Sequence, residues 1–207
     1  ELWQALQRKH PSSKRSVLGC DRIIFVCHSM GGIVVRHILE KHHHELKSKA
    51  IGLVLMASPS RGSDYADLLG PLTALIENSQ ALELRPGSSF LHYVHYRFER
   101  TLKEKRLPRF LGIEAMEHKG MVLGTEPIVS QFSAGTYFQD PVLLPGTNHS
   151  SAVKPTSPND RSYLVLVDFC EAFAKEFDQP AHGNAPDAPN APSFICESLR
   201  WEVSINS

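Results

Sequence analysis

The segment Val26-Cys27-His28-Ser29-Met30-Gly31-Gly32 constrains this chain more than any other. It follows a short apolar run, Ile23-Ile24-Phe25-Val26, whose β-branched content marks a strand buried on both faces. It precedes Ile33, Val34, His37, Ile38 and Lys41, which recur at helical spacing. Strand, tight turn and helix therefore succeed one another with a serine at the turn. Such a turn needs small residues two before and two after the serine, because strand and helix crowd it. It lifts the hydroxyl above the sheet and aims the following backbone N–H at a developing oxyanion. Gly31 and Gly32 meet the downstream requirement, and Cys27 stands where the upstream glycine is usual. The blander alternative is a serine N-cap on an ordinary helix. That alternative leaves the paired glycines, which weaken a helix, unexplained. Ser29 is accordingly the candidate nucleophile, and the Met30 amide the candidate oxyanion donor.

The rest of the chain suits such a turn. Ile51-Gly52-Leu53-Val54-Leu55-Met56 reads as the next buried strand. Strands alternating with helices predict an α/β fold with a mostly parallel sheet and flanking helices. Residues 64–109 are helical in character, with an amphipathic segment over 90–105 whose His92 and His95 share a face. Inserted between two sheet strands, this stretch predicts a helical cap over the strand ends, where ligands of open α/β sheets bind. Residues 109–113 form a weaker strand candidate than Pro141-Val142-Leu143-Leu144, and 163–177 read as the closing helix. The predicted division is a partial hydrolase-type domain over 1–178, a Pro-rich linker over 179–193 and the start of a further segment over 194–207. The opening at Glu1, without a methionine, reads as a piece of a longer protein that lacks the N-terminal strands and the second oxyanion donor.

Composition narrows the function classes. With 22 basic against 22 acidic residues, nothing points to nucleic acid or an anionic surface. Cys20, Cys27, Cys170 and Cys196 lie far apart with no CxxC pair, which predicts reduced thiols and an intracellular, cytoplasmic or membrane-associated setting. No apolar run approaches the ~20 residues of a membrane span, which leaves peripheral membrane contact. No cofactor or metal is implied.

The segment 26–36 resembles the elbow of the lipase-like serine esterases that include the GPI inositol-deacylases and the serine active site-containing proteins. Leu55-Met56-Ala57-Ser58-Pro59-Ser60-Arg61-Gly62-Ser63 is similar to that family's TPHRGS stretch, with Ser60 where a histidine is usual. Ala81-Leu82-Glu83-Leu84-Arg85-Pro86-Gly87-Ser88 resembles its leucine-rich cap motif, and Asn148-His149-Ser150-Ser151-Ala152-Val153-Lys154-Pro155 its catalytic-histidine block. The resemblance spans about 22–177 and implies an α/β-hydrolase fold with a Ser-acid-His triad acting on carboxylic esters, lipid acyl esters among them.

In that fold the base lies on the loop after the last strand. His149 alone occupies such a position, whereas His28 reads as a packing or hydrogen-bonding neighbour and 42–44 as a solvated helix end. For the acid, the family frame G-x-x-D-x-x-V places Glu126 in Gly124-Thr125-Glu126-Pro127-Ile128-Val129, followed by Ser133-Ala134. Some relatives carry an acidic residue near the position of Phe132. Glu114, at the end of the 111–113 strand candidate, is the alternative acid, and Asp140 a third. A thioesterase or peptidase would use the same triad. The rival class is a hydrolase-like binding or scaffold module in a larger protein, which the Cys27 and Ser60 departures and the unsettled acid favour.

Overall fold

A computed structural model describes residues 1–11, 14–58, 89–118, 137–138 and 140–178. Residues 64–88 of the expected cap, Glu126 and its frame, the linker and the segment after it lie outside these residues, and the described part of that cap, 89–103, is a helix whose Phe98 is buried in the core. The described helices are α1 (Leu2–Gln7), α2 (Gly31–Lys41), α3 (His43–Leu46), α4 (Ser89–Lys103) and α5 (Arg161–Phe177). The strands are β1 (Arg22–His28), β2 (Ala50–Met56), β3 (Phe110–Glu117) and β4 (Val142–Leu144). They form a four-stranded sheet in the order β1-β2-β3-β4, with all three pairings parallel. The fold is therefore α/β, with helices on both faces of a parallel sheet.

Alternation along the strands decides which face each side chain serves. Ile23 and Cys27 of β1 join Ile51, Leu53 and Leu55 of β2 in a core closed by Val35 and Leu39 of α2 and Phe98 of α4. The opposite residues, Val54 and Met56 of β2, Ala115 of β3 and Leu144 of β4, pack under Val165, Phe169 and Phe173 of α5. Every residue of β2 is buried, as its unbroken apolar run requires.

Two strand expectations need correction. The run 23–26 was read as buried on both faces, yet among the described residues β1 pairs only with β2, and Val26 is 50% exposed. An edge strand keeps one row of neighbours, so even an apolar sequence stays half open. The relative strength of the two later strands is also reversed. β3 runs eight residues, to Glu117, while β4 has three. Two glutamates disguise the second half of β3, although its last four residues are all buried.

Polar groups pin α2 beneath this sheet. Arg36 is buried, donating Nε–H to the Gly32 carbonyl at 2.9 Å and Nη1–H to the Tyr137 hydroxyl at 2.6 Å. Glu40, also buried, accepts from Arg97 of α4 at 2.7 Å. Buried charges are tolerated when paired and hydrogen-bonded in this way.

Candidate active site

The site is built where parallel strands deliver their carboxyl ends. β1 ends at His28, opposite Met56 of β2, and the next residue, Ser29, has φ of 53°. A non-glycine residue in the left-handed region is strained, at a cost of about 1–3 kcal/mol, and persists only where its surroundings hold it. Here they do. The Ser29 N–H donates to Met56 O at 3.2 Å, while Ser29 O accepts from Gly32 N at 3.1 Å and from the Ser58 hydroxyl at 2.8 Å. Ala57, directly after β2, is a second left-handed residue, with φ of 46°. Backbone strain thus gathers at one end of the sheet.

The downstream glycines divide the work differently from the expected pattern. A Cβ on Gly31 would meet nothing within 4 Å among the described residues. A Cβ on Gly32 would lie 2.1 Å from Ser58 Oγ. Gly32 is therefore the glycine that lets Ser58 reach the serine turn. Upstream, Cys27 fits without strain because it faces the α2 core, and burial pushes its thiol up to about 12. It stays a protonated packing residue beside the serine. Met30 is the N-cap of α2, where a helix leaves its first N–H groups without intrahelical partners.

His149 sits on the loop that follows β4. Gly146 turns this loop with φ of 80°, and the Asn148 side chain accepts from Ser150 N at 3.1 Å and Ser151 N at 2.9 Å. Thr147 O accepts from His118 N at 3.1 Å, which extends the alignment of β3 and β4 beyond the strands. The His149 ring is buried, and its Nδ1 lies 3.2 Å from Oε1 of Glu117, itself fully buried at the end of β3. Glu117 shares its strand face with Ala115, on the α5 side. Glu114 points to the other face, where its Oε2 accepts from Tyr137 N at 3.3 Å. The carboxylate brought to the candidate base is thus Glu117, which the sequence reading passed over. Asp140 lies before β4, at the opposite end of that strand from His149.

His28 closes the cluster. Its ring centroid is 4.7 Å from that of His149, and its Nε2 lies 2.9 Å from the His149 carbonyl oxygen. A carbonyl only accepts, so this ring carries its proton on Nε2. Burial, then the neighbouring His149, hold His28 below the ordinary histidine value. Ser29 Oγ and His149 Nε2 are both buried, and neither has a hydrogen-bond partner among the described residues. A cavity of about 220 Å³ bounded by Val26, His28, Met56 and Tyr163 lies beside the cluster, and one of about 870 Å³ lies away from it, lined by Phe110, Leu111 and Glu114 of β3, Asp140, and Val165 and Phe169 of α5. Neither is lined by Ser29 or His149, so hydrogen-bond geometry rather than cavity size locates the chemistry.

No family model, no curated protein and no solved structure matches this chain. The site is argued from its own geometry. Among the described residues no group of three His, Cys, Asp or Glu side chains is arranged to hold a metal ion, and no helix is long and apolar enough to cross a membrane.

Proposed function

We propose that this chain is the catalytic body of a serine ester hydrolase with an α/β-hydrolase fold. Ser29 is the nucleophile, His149 its base and Glu117 the acid that orients the base. The observation that carries the reading is the buried pair of His149 Nδ1 and Glu117 Oε1, 3.2 Å apart, on the histidine whose carbonyl is bound by the residue next to Ser29. Serine after β1, acid at the end of β3 and histidine after β4 follow the chain order of α/β-hydrolase triads. The strained backbone of Ser29 agrees with a serine held above a sheet for attack.

The chemistry follows from these roles. Glu117 accepts a hydrogen bond from His149 Nδ1–H, which leaves Nε2 unprotonated and able to take a proton. His149 removes the Ser29 hydroxyl proton as Oγ attacks the ester carbonyl. The Met30 N–H stabilises the oxyanion, the alcohol leaves with the proton from His149, and water then releases the acyl group by the same path. Lipid acyl esters are the first substrate class to try, on the resemblance to lipase-like esterases.

One observation favours a second reading, a hydrolase-like binding module. Ser29 Oγ and His149 Nε2 have no hydrogen-bond partner among the described residues, so the bond between them is open in this structure. Without substrate such bonds are often long and tighten only in the reacting complex, so the enzyme reading is retained. Labelling with a fluorophosphonate probe, comparing the wild-type chain with Ser29→Ala, separates the two. Labelling that disappears in the variant supports the hydrolase, and a folded wild-type chain that does not label supports the module.

A further inference from the structure

The base and the nucleophile follow strands at opposite edges of the described sheet. Ser29 follows β1 and His149 follows β4, with β2 and β3 between them. Neighbouring strands lie about 4.8 Å apart, so the loop after β4 must cross about 14 Å of sheet to bring His149 to the serine. Backbone pairing cannot hold it there, because β4 pairs with β3 and not with β1. The turn bonds of Gly146, Thr147 and Asn148 shape the loop without tying it to β1. Glu117 holds the ring at Nδ1 but leaves the backbone of His149 unanchored.

The geometry points to His28 as the positioning residue that fixes this base: its Nε2–H, donated to the His149 carbonyl at 2.9 Å, ties the histidine loop to the residue preceding the nucleophile. The bond spans 121 positions of sequence and joins the two edges of the described sheet. The ring is at once a donor and a spacer, since it packs at 41° against the His149 ring. Two tethers then define the base, Glu117 through its ring and His28 through its backbone. Both come from the face of the sheet that α5 covers, the face of Ile24 and Ala115. The charged and titratable groups that act on His28 are His149, Glu117 and Lys154. A neutral ring suits this position, because a second positive charge there would oppose the imidazolium that His149 forms during attack.

This inference rests on the hydrolase reading for its catalytic meaning and on the hydrogen bond alone for its structural content. The test uses the full chain with His28→Phe, which keeps a ring without the donor, and His28→Gln, whose amide restores one. Fluorophosphonate labelling is expected to slow about tenfold in His28→Phe and to stay within about threefold of wild type in His28→Gln, the effect of one hydrogen bond lost and regained. With a p-nitrophenyl acyl ester the loss falls on kcat and leaves KM within about twofold, because the tether touches the base and not the substrate. Histidine-selective nitrogen NMR supplies the reading that needs no activity. His28 is expected in the Nε2–H form at neutral pH, with the His149 ring signals displaced in His28→Phe and restored in His28→Gln. Wild-type labelling in His28→Phe, or an Nδ1–H form of His28 in the folded wild-type chain, overturns the inference. If the wild-type chain does not label, the hydrolase reading falls and the His28 tautomer alone decides whether the tether exists. If His28→Phe does not fold, the wild-type tautomer and His28→Gln decide.

Discussion

Glu117→Gln is the substitution that tests the triad most directly. The carboxylate is fully buried and its Oε1 lies 3.2 Å from Nδ1 of His149, and in the proposed triad it accepts a hydrogen bond from Nδ1–H and leaves Nε2 free as the base. An amide of the same size keeps the packing but turns an NH₂ group or a weaker carbonyl acceptor towards the ring. The NH₂ orientation forces the proton onto Nε2, the tautomer that cannot accept from Ser29. In a chymotrypsin-type triad the corresponding change lowers kcat about 10⁴-fold with the geometry intact. A loss of about 10³–10⁴ in labelling rate is expected here, equivalent to about 4–5.5 kcal/mol at the transition state. The fold should survive, because the substitution removes a buried charge without leaving a cavity. The assay is the pseudo-first-order rate of fluorophosphonate labelling of Ser29, with thermal unfolding measured alongside. Glu114→Gln and Glu126→Gln are the controls. Glu114 faces the α2 core and serves Tyr137, so its amide should label within about threefold of wild type. The reasoning is refuted if Glu117→Gln labels normally while Glu126→Gln does not, for then the family frame identifies the acid and the buried pair is structural.

Three further outcomes follow from the same geometry. Gly32→Ala should cost about 1–3 kcal/mol in urea unfolding, because its Cβ would stand 2.1 Å from Ser58 Oγ, whereas Gly31→Ala should be neutral or stabilising by up to about 1 kcal/mol; equal effects at the two glycines would refute the steric account. Ser29→Gly should be more stable than Ser29→Ala by about 1 kcal/mol in the same assay, since φ of 53° is costly only for a residue with a Cβ; an alanine variant of equal or greater stability would remove the claim of strain. Because His28 is held below its ordinary value of 6.5, the unfolded chain takes up a proton that the native chain resists; the His28 contribution is full above that value and declines as pH falls below it, which chemical unfolding at stepped pH, compared with His28→Gln, should show as a shallower acid decline in the variant.

The sequence carried some parts of this site and concealed others for reasons that reside in particular residues. Ser29 was legible because a strained turn has few solutions, and apolar run, small residues and helical period all had to coincide around it. His149 stood out through topology, since it is the one histidine between the last strand and the closing helix. Glu117 was hidden because β3 ends in Glu114-Ala115-Met116-Glu117, where two carboxylates break the apolar run that marks a buried strand. Once the strand is extended to Glu117, its alternation places Glu114 and Glu117 on opposite faces, and only the second shares a face with Ile24 and with His28 at the end of β1. The motif frame that suggests Glu126 uses spacing along the chain and falls outside the described residues, whereas the carboxylate of Glu117 is identified by which strand ends beside the histidine loop. The edge position of β1 among the described residues is not written in its own apolar run, because a strand's residues do not say how many neighbours it has; it agrees instead with the expected lack of N-terminal strands. What joins these pieces is the end of the sheet itself. A left-handed serine, a buried carboxylate and a loop histidine become one arrangement only because parallel strands deliver their carboxyl ends to the same side. For that reason the pairing order β1-β2-β3-β4 carries as much of the functional argument as any single motif.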